Sequence, residues 1–506
     1  MGKGLGYRVL ISERHFNRWD APAIVEFHPA VVGFLWVASP SANEFAAPRG
    51  ASGRISGTKV WTSCTGHQIA AVSWYCFNMP SLMKKYLPAH LASFLCVLLI
   101  AHVVSAEAGT EPEPFDPTGI FLTWRHDPTT SMTIDWHTLP VDRDVKSSVD
   151  YRIEGSDDWT TIGGGTKHDF PFSERTIHRI DLRGLEPGTT YEFRFGEDSK
   201  VYRFRTMPSD ISQSPLRFAV GGDTGAGEIF RKMNRKVMEY DPDFIVWGGD
   251  LAYADGDPDR LNRWHAWFDG IKETLIDSDG RIVPVVVALG NHEIFNERRL
   301  LRRLEEAEAQ KFLNRHNLWD FKPTYFFHLF AFPDRPGYNF LDIGEYMSLV
   351  ILDTGHHSSV LGPQTGWLGA VLEARRDRPH VFPVYHVPAY PSHRTYQGLT
   401  ANRVRENWVP LFDEHNVRVV FEHHDHTYKR TKPIRGGEVS EDGIVYIGDG
   451  AWGDVGIRDG GSSDEWYIEK FASKNHAIIV TLLGDDQDYK VVTPDGEIID
   501  RYKTRR

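Results

Sequence analysis

The chain has 506 residues, long enough for two or three domains around a sizeable core. Of its 57 Lys/Arg and 69 Asp/Glu, nine and four lie in residues 1–106, so the remainder carries −17. So acidic a surface excludes a general nucleic-acid partner, because phosphate backbones need a basic face, while a local basic pocket stays compatible with it.

Taken from the amino end, the first feature is a secretory signal in an unusual place. Met83-Lys84-Lys85 supplies the charged start, Leu91 to Ala101 the apolar stretch, and Val104-Ser105-Ala106 the small-residue cleavage site. The stretch is short for a bilayer span, so export is expected, secreted or periplasmic, with no stable membrane span after removal of residues 83–106. Residues 1–82 show neither a strand period nor a helix period and would stop the signal from working. They read as an upstream extension that is not native, with initiation at Met79 or Met83. Cys64, Cys76 and Cys96 all precede the cleavage point. The exported chain would then have no cysteine, which rules out a disulfide-linked oligomer and thiolate chemistry.

Residues 107–118 are rich in Glu and Pro and read as a linker. From 119 to 207 the pattern is all-β, with short strands expected at Ile120–Trp124, Met132–Trp136, Val149–Ile153, Ile177–Leu182, Tyr191–Phe195 and Tyr202–Phe204. Their spacing predicts a small β-sandwich, and Leu185 to Tyr191 resembles a fibronectin type III corner. Residues 208–215 are turn-rich. Beyond them, over 213–500, strand runs alternate with helical stretches at Ile229–Tyr240, Arg260–Ile276, Glu297–Asn314 and Trp367–Arg376, an α/β pattern. The highly charged stretch Glu297–Arg315 reads as a solvated helix held by internal ion pairs, or as a lid.

Six apolar runs in this second half each stop at a polar residue able to bind metal. Leu216–Val220 runs into Asp223, Phe244–Trp247 into Asp250, and Val283–Leu289 into Asn291-His292. Tyr346–Leu352 stops at Asp353, Val381–Tyr385 at His386, and Val417–Phe421 at Glu422-His423-His424-Asp425-His426. Buried strands of this kind open their sites at their carboxyl ends, so these side chains are expected on one rim. A pair of ions needs a carboxylate that bridges them and separate ligands on each side. Asp250 can bridge; Asp223 and His426 can complete one shell, and Asn291, His386 and His424 the other. His424 and His426 reach one rim only if the backbone turns between them, which sends Asp425 elsewhere. Tyr253, three residues after Asp250, is a hard donor suited to Fe(III). Singly, each has a plainer reading: a helix cap for Asp223 or Asp250, a turn for Asn291, a packed aromatic for Tyr253. The glycines after Asp223 lack the spacing of a nucleotide loop.

Asp223-x-Gly225, Gly249-Asp250-x-x-Tyr253, Gly290-Asn291-His292-Glu293, His386 and His424-x-His426, in this order, resemble the five motif blocks of the purple acid phosphatases, within the calcineurin-like metallophosphoesterases. The resemblance spans most of Gly119 to Val492. It implies an α/β (α+β) metallophosphoesterase sandwich of two mixed β-sheets flanked by helices, after a small all-β sandwich domain. It further implies Fe(III) on Asp223, Asp250, Tyr253 and His426, and a divalent Fe, Zn or Mn ion on Asp250, Asn291, His386 and His424. His292 matches the position that contacts substrate phosphate and helps protonate the leaving group, and His393 is a looser candidate for a second phosphate contact. The activity implied is acid hydrolysis of small phosphate monoesters by a metal-bound hydroxide. A phosphodiesterase or nucleotidase is the neighbouring reading, and a non-catalytic exported binding scaffold is the reading of another class. Two departures stand out: His423 replaces the usual Gly, with an effect expected on substrate preference, and Lys429 replaces the usual Glu.

Overall fold

The computed structural model describes residues 114–142, 145–295, 308, 311, 325–333, 337–415 and 417–504. The signal and upstream segment, and all but single residues of the charged stretch at Glu297–Arg315, lie outside them. Among the described residues no helix is long and apolar enough to cross a membrane.

From Gly119 to Arg205 two four-stranded antiparallel sheets face each other. One has the order Gly119–Thr123, Ser131–Thr138, Thr176–Arg183, Thr166–Asp169; the other Thr160–Ile162, Val149–Ile153, Thr190–Arg194, Tyr202–Arg205. Alternation decides what each strand buries. Ile120, Leu122, Ile134, Trp136, Ile180 and Leu182 point inward to meet Val149, Phe193, Tyr202 and Phe204. Tyr191 closes the corner, its hydroxyl accepting the Glu186 N–H at 2.8 Å just before the Pro187-Gly188 turn. Thr160–Ile162 and Thr166–Asp169 were not expected from the sequence, since they are polar and largely exposed and carry no apolar alternation. Gly119–Thr123 is buried throughout because its outward face also packs: Phe121 meets Phe268 of the helix Leu261–Thr274 at 5.6 Å, and His137 meets the same ring at 4.5 Å.

The larger α/β part stacks two sheets between helices. Its six-stranded sheet runs Val285–Val287, Phe244–Trp247, Leu216–Gly221, Ala477–Leu483, Asp486–Val492, Ile498–Thr504, with the first three strands parallel. The seven-stranded sheet runs Asn339–Ile343, Met347–Ile351, His380–Val384, Val419–Glu422, Val445–Gly448, Tyr428–Thr431, Ile468–Ala472. Between them Phe218, Phe244 and Val480 pack on Phe382, Val384 and Phe421, with Phe218 and Phe244 stacked at 4.9 Å. Helices Glu228–Met238 and Leu261–Thr274 cover the outer face of the first sheet. Pro363–Glu373, Leu399–Asn407 and Val409–Glu414 cover that of the second. The architecture is the α/β sandwich of two mixed sheets that the sequence implied. The sheet continues to Thr504, past residue 500, because the Gly484-Asp485 turn and then Ile498–Thr504 add antiparallel strands to its edge.

Solvent pH should register in the sandwich core. His178 is fully buried, stacked on Trp136, with Thr138 Oγ1 2.9 Å from Nε2 and Ser147 Oγ 2.8 Å from Nδ1. Burial, then Lys167 and His168, push it down to about 4. The unfolded imidazole binds its proton near pH 6.5 and the folded one only near 4, so stability present above 6.5 is lost as pH falls across that window. His178→Gln, which keeps two hydrogen-bonding atoms but does not titrate, is expected to flatten the fall in Tm between pH 7 and pH 4.5; unchanged slopes in thermal scans would remove His178 as a cause.

Candidate metal centre

Six of the seven candidate ligand residues stand two to four residues past the carboxyl end of a parallel strand, and Tyr253 follows in the loop after Asp250. The turn that brings them to one rim is left-handed. Asp223 (φ 55°), Asp250 (53°), Tyr253 (57°), Asp255 (59°), His424 (82°) and His426 (56°) all hold positive φ, a conformation that costs non-glycine residues energy and clusters at functional sites. Positive φ at both 424 and 426 is what lets the two histidines face one way. Asp425 turns the other way and accepts the backbone N–H groups of Ser392, His393 and Arg394.

Two groups result, sharing Asp250: Asp223, Asp250 and His426, and Asp250, His386 and His424. In the first, Tyr253 Oη lies 3.2 Å from Asp223 Oδ1 and 3.1 Å from His426 Nε2, which is itself 3.1 Å from Asp223 Oδ1. In the second, His386 Nε2 lies 3.1 Å from Asp250 Oδ2 and 3.0 Å from His424 Nδ1. Ligand atoms each about 2 Å from one ion stand about 3 Å apart, so both groups have the spacing of a coordination shell. Asp250 Oδ2 and Asn291 Oδ1 are buried with no hydrogen-bond partner, which a cation would satisfy. His386 Nδ1 is bound to the Gly248 carbonyl and His426 Nδ1 to that of Gly456, both at 3.0 Å, which fixes Nε2 toward the cluster.

Charge tells the same story. Burial lowers His386, yet Asp250 and Asp223 outweigh it and raise that imidazole to about 9, while burial and then His386 keep His424 well below its ordinary value. Carboxylates able to hold a proton on a buried ring form an electrostatic well for a cation. Burial, then Asp223 and Asp250, push the Tyr253 phenol well above 10, so its ionisation requires a compensating positive charge.

Around these residues the structure adds groups that no motif singled out. Glu293 was quoted only as part of a block, yet its buried carboxylate accepts N–H groups from Asp250, Leu251 and Gly290 at 2.7–2.8 Å. Asp255 holds His292 Nδ1 at 2.5 Å, and the His292 ring lies 4.1 Å from that of Tyr253. His356 brings its ring within 5.6 Å of His386. Its loop is capped by Asp353, whose carboxylate accepts the N–H groups of Gly355, His356, His357 and Ser358. Asp353 is therefore a structural cap rather than a member of the cluster. His393 sits on the rim with Nδ1 bound to the Asp459 carbonyl at 2.5 Å and its N–H on Asp425. The two departures are turned inward. His423 is 1% exposed, bonds the Tyr385 carbonyl through Nδ1 at 2.8 Å, and fills space left by Gly222 and Gly248. Lys429 is buried 2.5 Å from Glu422 and 3.6 Å from Asp449.

A rim of carboxylates and imidazoles at the ends of two facing sheets defines a calcineurin-like metallophosphoesterase, and the family model for the calcineurin-like phosphoesterases matches residues 209–428. The model for the purple acid phosphatase N-terminal domain matches 117–206. The chain belongs to the purple acid phosphatase family, and with it to the metal-dependent phosphoester hydrolases. It is 29% identical to purple acid phosphatase 21 of Arabidopsis thaliana, over 63% of this chain and 68% of that one. It is 26% identical to acid phosphatase type 7 of Mus musculus, over 75% and 85%. In structure it is similar to purple acid phosphatase PPD1 from yellow lupin seeds, with a TM-score of 0.57 and 16% identity over 76% of this chain and 73% of that one. It also shares its fold with PhoD, with a TM-score of 0.51 and 13% identity over 79% and 90%.

A Cβ at residue 248 would lie 1.9 Å from the His423 ring. Gly248→Ala should therefore destabilise the chain by roughly 1–3 kcal/mol in denaturant unfolding, with most of that loss absent when the same change is made in a His423→Ala background. Strictly additive losses would show that the ring and residue 248 do not compete for this space.

Proposed function

We propose that this chain is an exported acid phosphatase with a dinuclear centre, acting on small phosphate monoesters. The observation that supports it most is the pair of ligand groups sharing Asp250. The residues fit two ions: Asp223, Asp250, Tyr253 and His426 around Fe(III), and Asp250, Asn291, His386 and His424 around a divalent Fe, Zn or Mn ion. Bound there, the ions would neutralise phosphate oxygens and acidify a water for in-line attack.

The remaining work falls to the chain's own side chains. Glu293 fixes the backbone of Asp250 and Gly290, so the bridging carboxylate and Asn291 are held by one clamp. Asp255 holds the Nδ1 side of His292, and Nε2, 3.7 Å from Asp250 Oδ2, is the atom that would carry a proton to the departing alkoxide. Tyr253 packs against the His292 ring and limits its rotation. In this reading the β-sandwich at 119–207 is a separate module ahead of a catalytic domain beginning near 213, and His393 lies at the edge of the substrate's path. Export is supported by the signal-like segment ending at Ala106; amino-terminal sequencing of the native protein is expected to begin at Glu107, and a mature protein retaining Trp61 would refute it.

Metal analysis of the purified chain should find two ions including iron and a visible band that fades on reduction. Tyr253→Phe is expected to lose the band; two ions without iron in the parent would remove Tyr253 from the ligand set. His292→Ala should keep both ions and lower kcat by roughly a hundredfold or more on a monoester substrate. Loss of both ions would make His292 structural instead. Faster turnover of a diester than of a monoester by the parent would redirect the reading to a phosphodiesterase.

A further inference from the structure

Two arginines from different loops meet beside the ligand histidines. Arg394, eight residues after His386, donates from Nη1 to the His424 carbonyl at 2.7 Å and pairs with Asp425 at 2.5 Å. Arg458, on the loop after Val445–Gly448, donates from its own Nη1 to the same carbonyl at 3.2 Å, and its backbone N–H reaches the His426 carbonyl at 3.2 Å. Gly456 of the same loop accepts from His426 Nδ1. Both guanidinium groups are thus fixed to the backbone of the His-x-His turn that supplies one ligand to each metal group.

Their charges are balanced unequally. Arg394 has the Asp425 carboxylate. Among the described residues, no carboxylate lies within 4.0 Å of Arg458, although its side chain is partly buried. Each group spends a single nitrogen on the shared carbonyl, leaving the rest of a planar donor fork. The metal cluster gains nothing from these charges, since two bound cations would repel further positive charge. A partly buried cation with no carboxylate in ion-pair contact among the described residues, on a rim where a phosphate ester would sit, is arranged for an anion that arrives with the substrate.

We infer that Arg458, seconded by Arg394, forms a subsite for a second phosphate group, so that the enzyme favours substrates carrying more than one phosphate over simple monoesters. This rests on the phosphatase reading of the adjoining centre and adds a substrate class to it.

The test compares inorganic tripolyphosphate with p-nitrophenyl phosphate on the metal-loaded full chain, with metal content measured in every variant. In Arg458→Gln the ratio of the two kcat/KM values should fall at least about tenfold against tripolyphosphate, mainly through KM, the size of one charge-assisted contact. Arg458→Lys should recover part of the ratio, and Arg394→Gln should lower it less. A ratio unchanged in Arg458→Gln, whether both activities fall together or neither does, would overturn the inference. Equilibrium binding of tripolyphosphate against orthophosphate supplies the same ratio without turnover. A parent chain that binds both ions but hydrolyses neither compound would count against the phosphatase reading, and the binding ratio would then decide the subsite on its own.

Discussion

The centre hangs on one buried carboxylate. Glu293 accepts three backbone N–H groups, from Gly290, Asp250 and Leu251, and so ties the loop after Val285–Val287 to the loop after Phe244–Trp247 at a single point. Burial, and then the neighbouring Asp250, raise it to about 8, because a second charge is unfavourable there. That cost is tolerated because the three donors would otherwise be orphaned beneath the cluster. Asp250, the residue common to both ligand groups, inherits its position from this clamp rather than from its own strand.

From that point the same logic spreads through the rim. Left-handed backbone at Asp223, Asp250, His424 and His426 is unfavourable residue by residue, and persists because the bonds around it leave no alternative. Asp223 Oδ2 accepts the His424 N–H at 3.0 Å, so a member of one group fixes the turn carrying a member of the other. Asp425, between the two histidines, anchors the loop from Ser392 to Arg394 and thereby sets the edge where Arg394 and His393 stand. Beneath, His423 plugs the gap that Gly222 and Gly248 leave, and Lys429 balances Glu422. Both departures from the family pattern are thus buried beneath the cluster.

The β-sandwich joins this machinery by packing and by hydrogen bonds, with His168 Nε2 2.8 Å from the His328 carbonyl and Arg179 donating to that of Leu329 at 3.2 Å. Phe121 and His137 press on Phe268, which packs in one cluster with Trp264 and Trp267 of the same helix, and Trp267 donates to Thr224 Oγ1 beside Asp223. Rigid contacts of this kind pass position, not chemistry, from one module to the other.

Much was legible from the chain alone, because strands buried on both faces write continuous apolar runs. Phe244–Trp247 stands at its expected bounds, and the other five runs lie within two residues of theirs. The strands Thr160–Ile162 and Thr166–Asp169 were silent because pairing, not burial, holds them. The sequence by itself determined the fold class, the family and an ordered set of possible ligands, since these depend on local period and on residue type at strand ends. Only the tertiary structure decided which groups stand 3 Å apart, that Asp353 caps a loop, that Asp255 and Glu293 serve the centre, and that Arg394 and Arg458 converge on one carbonyl. Apart from the Asp353 cap, which joins near neighbours, most of those relations join residues 30 to 201 positions apart. Side-chain chemistry names what can bind, but pairing between distant loops is set by sheet register and backbone turn, which no local pattern encodes.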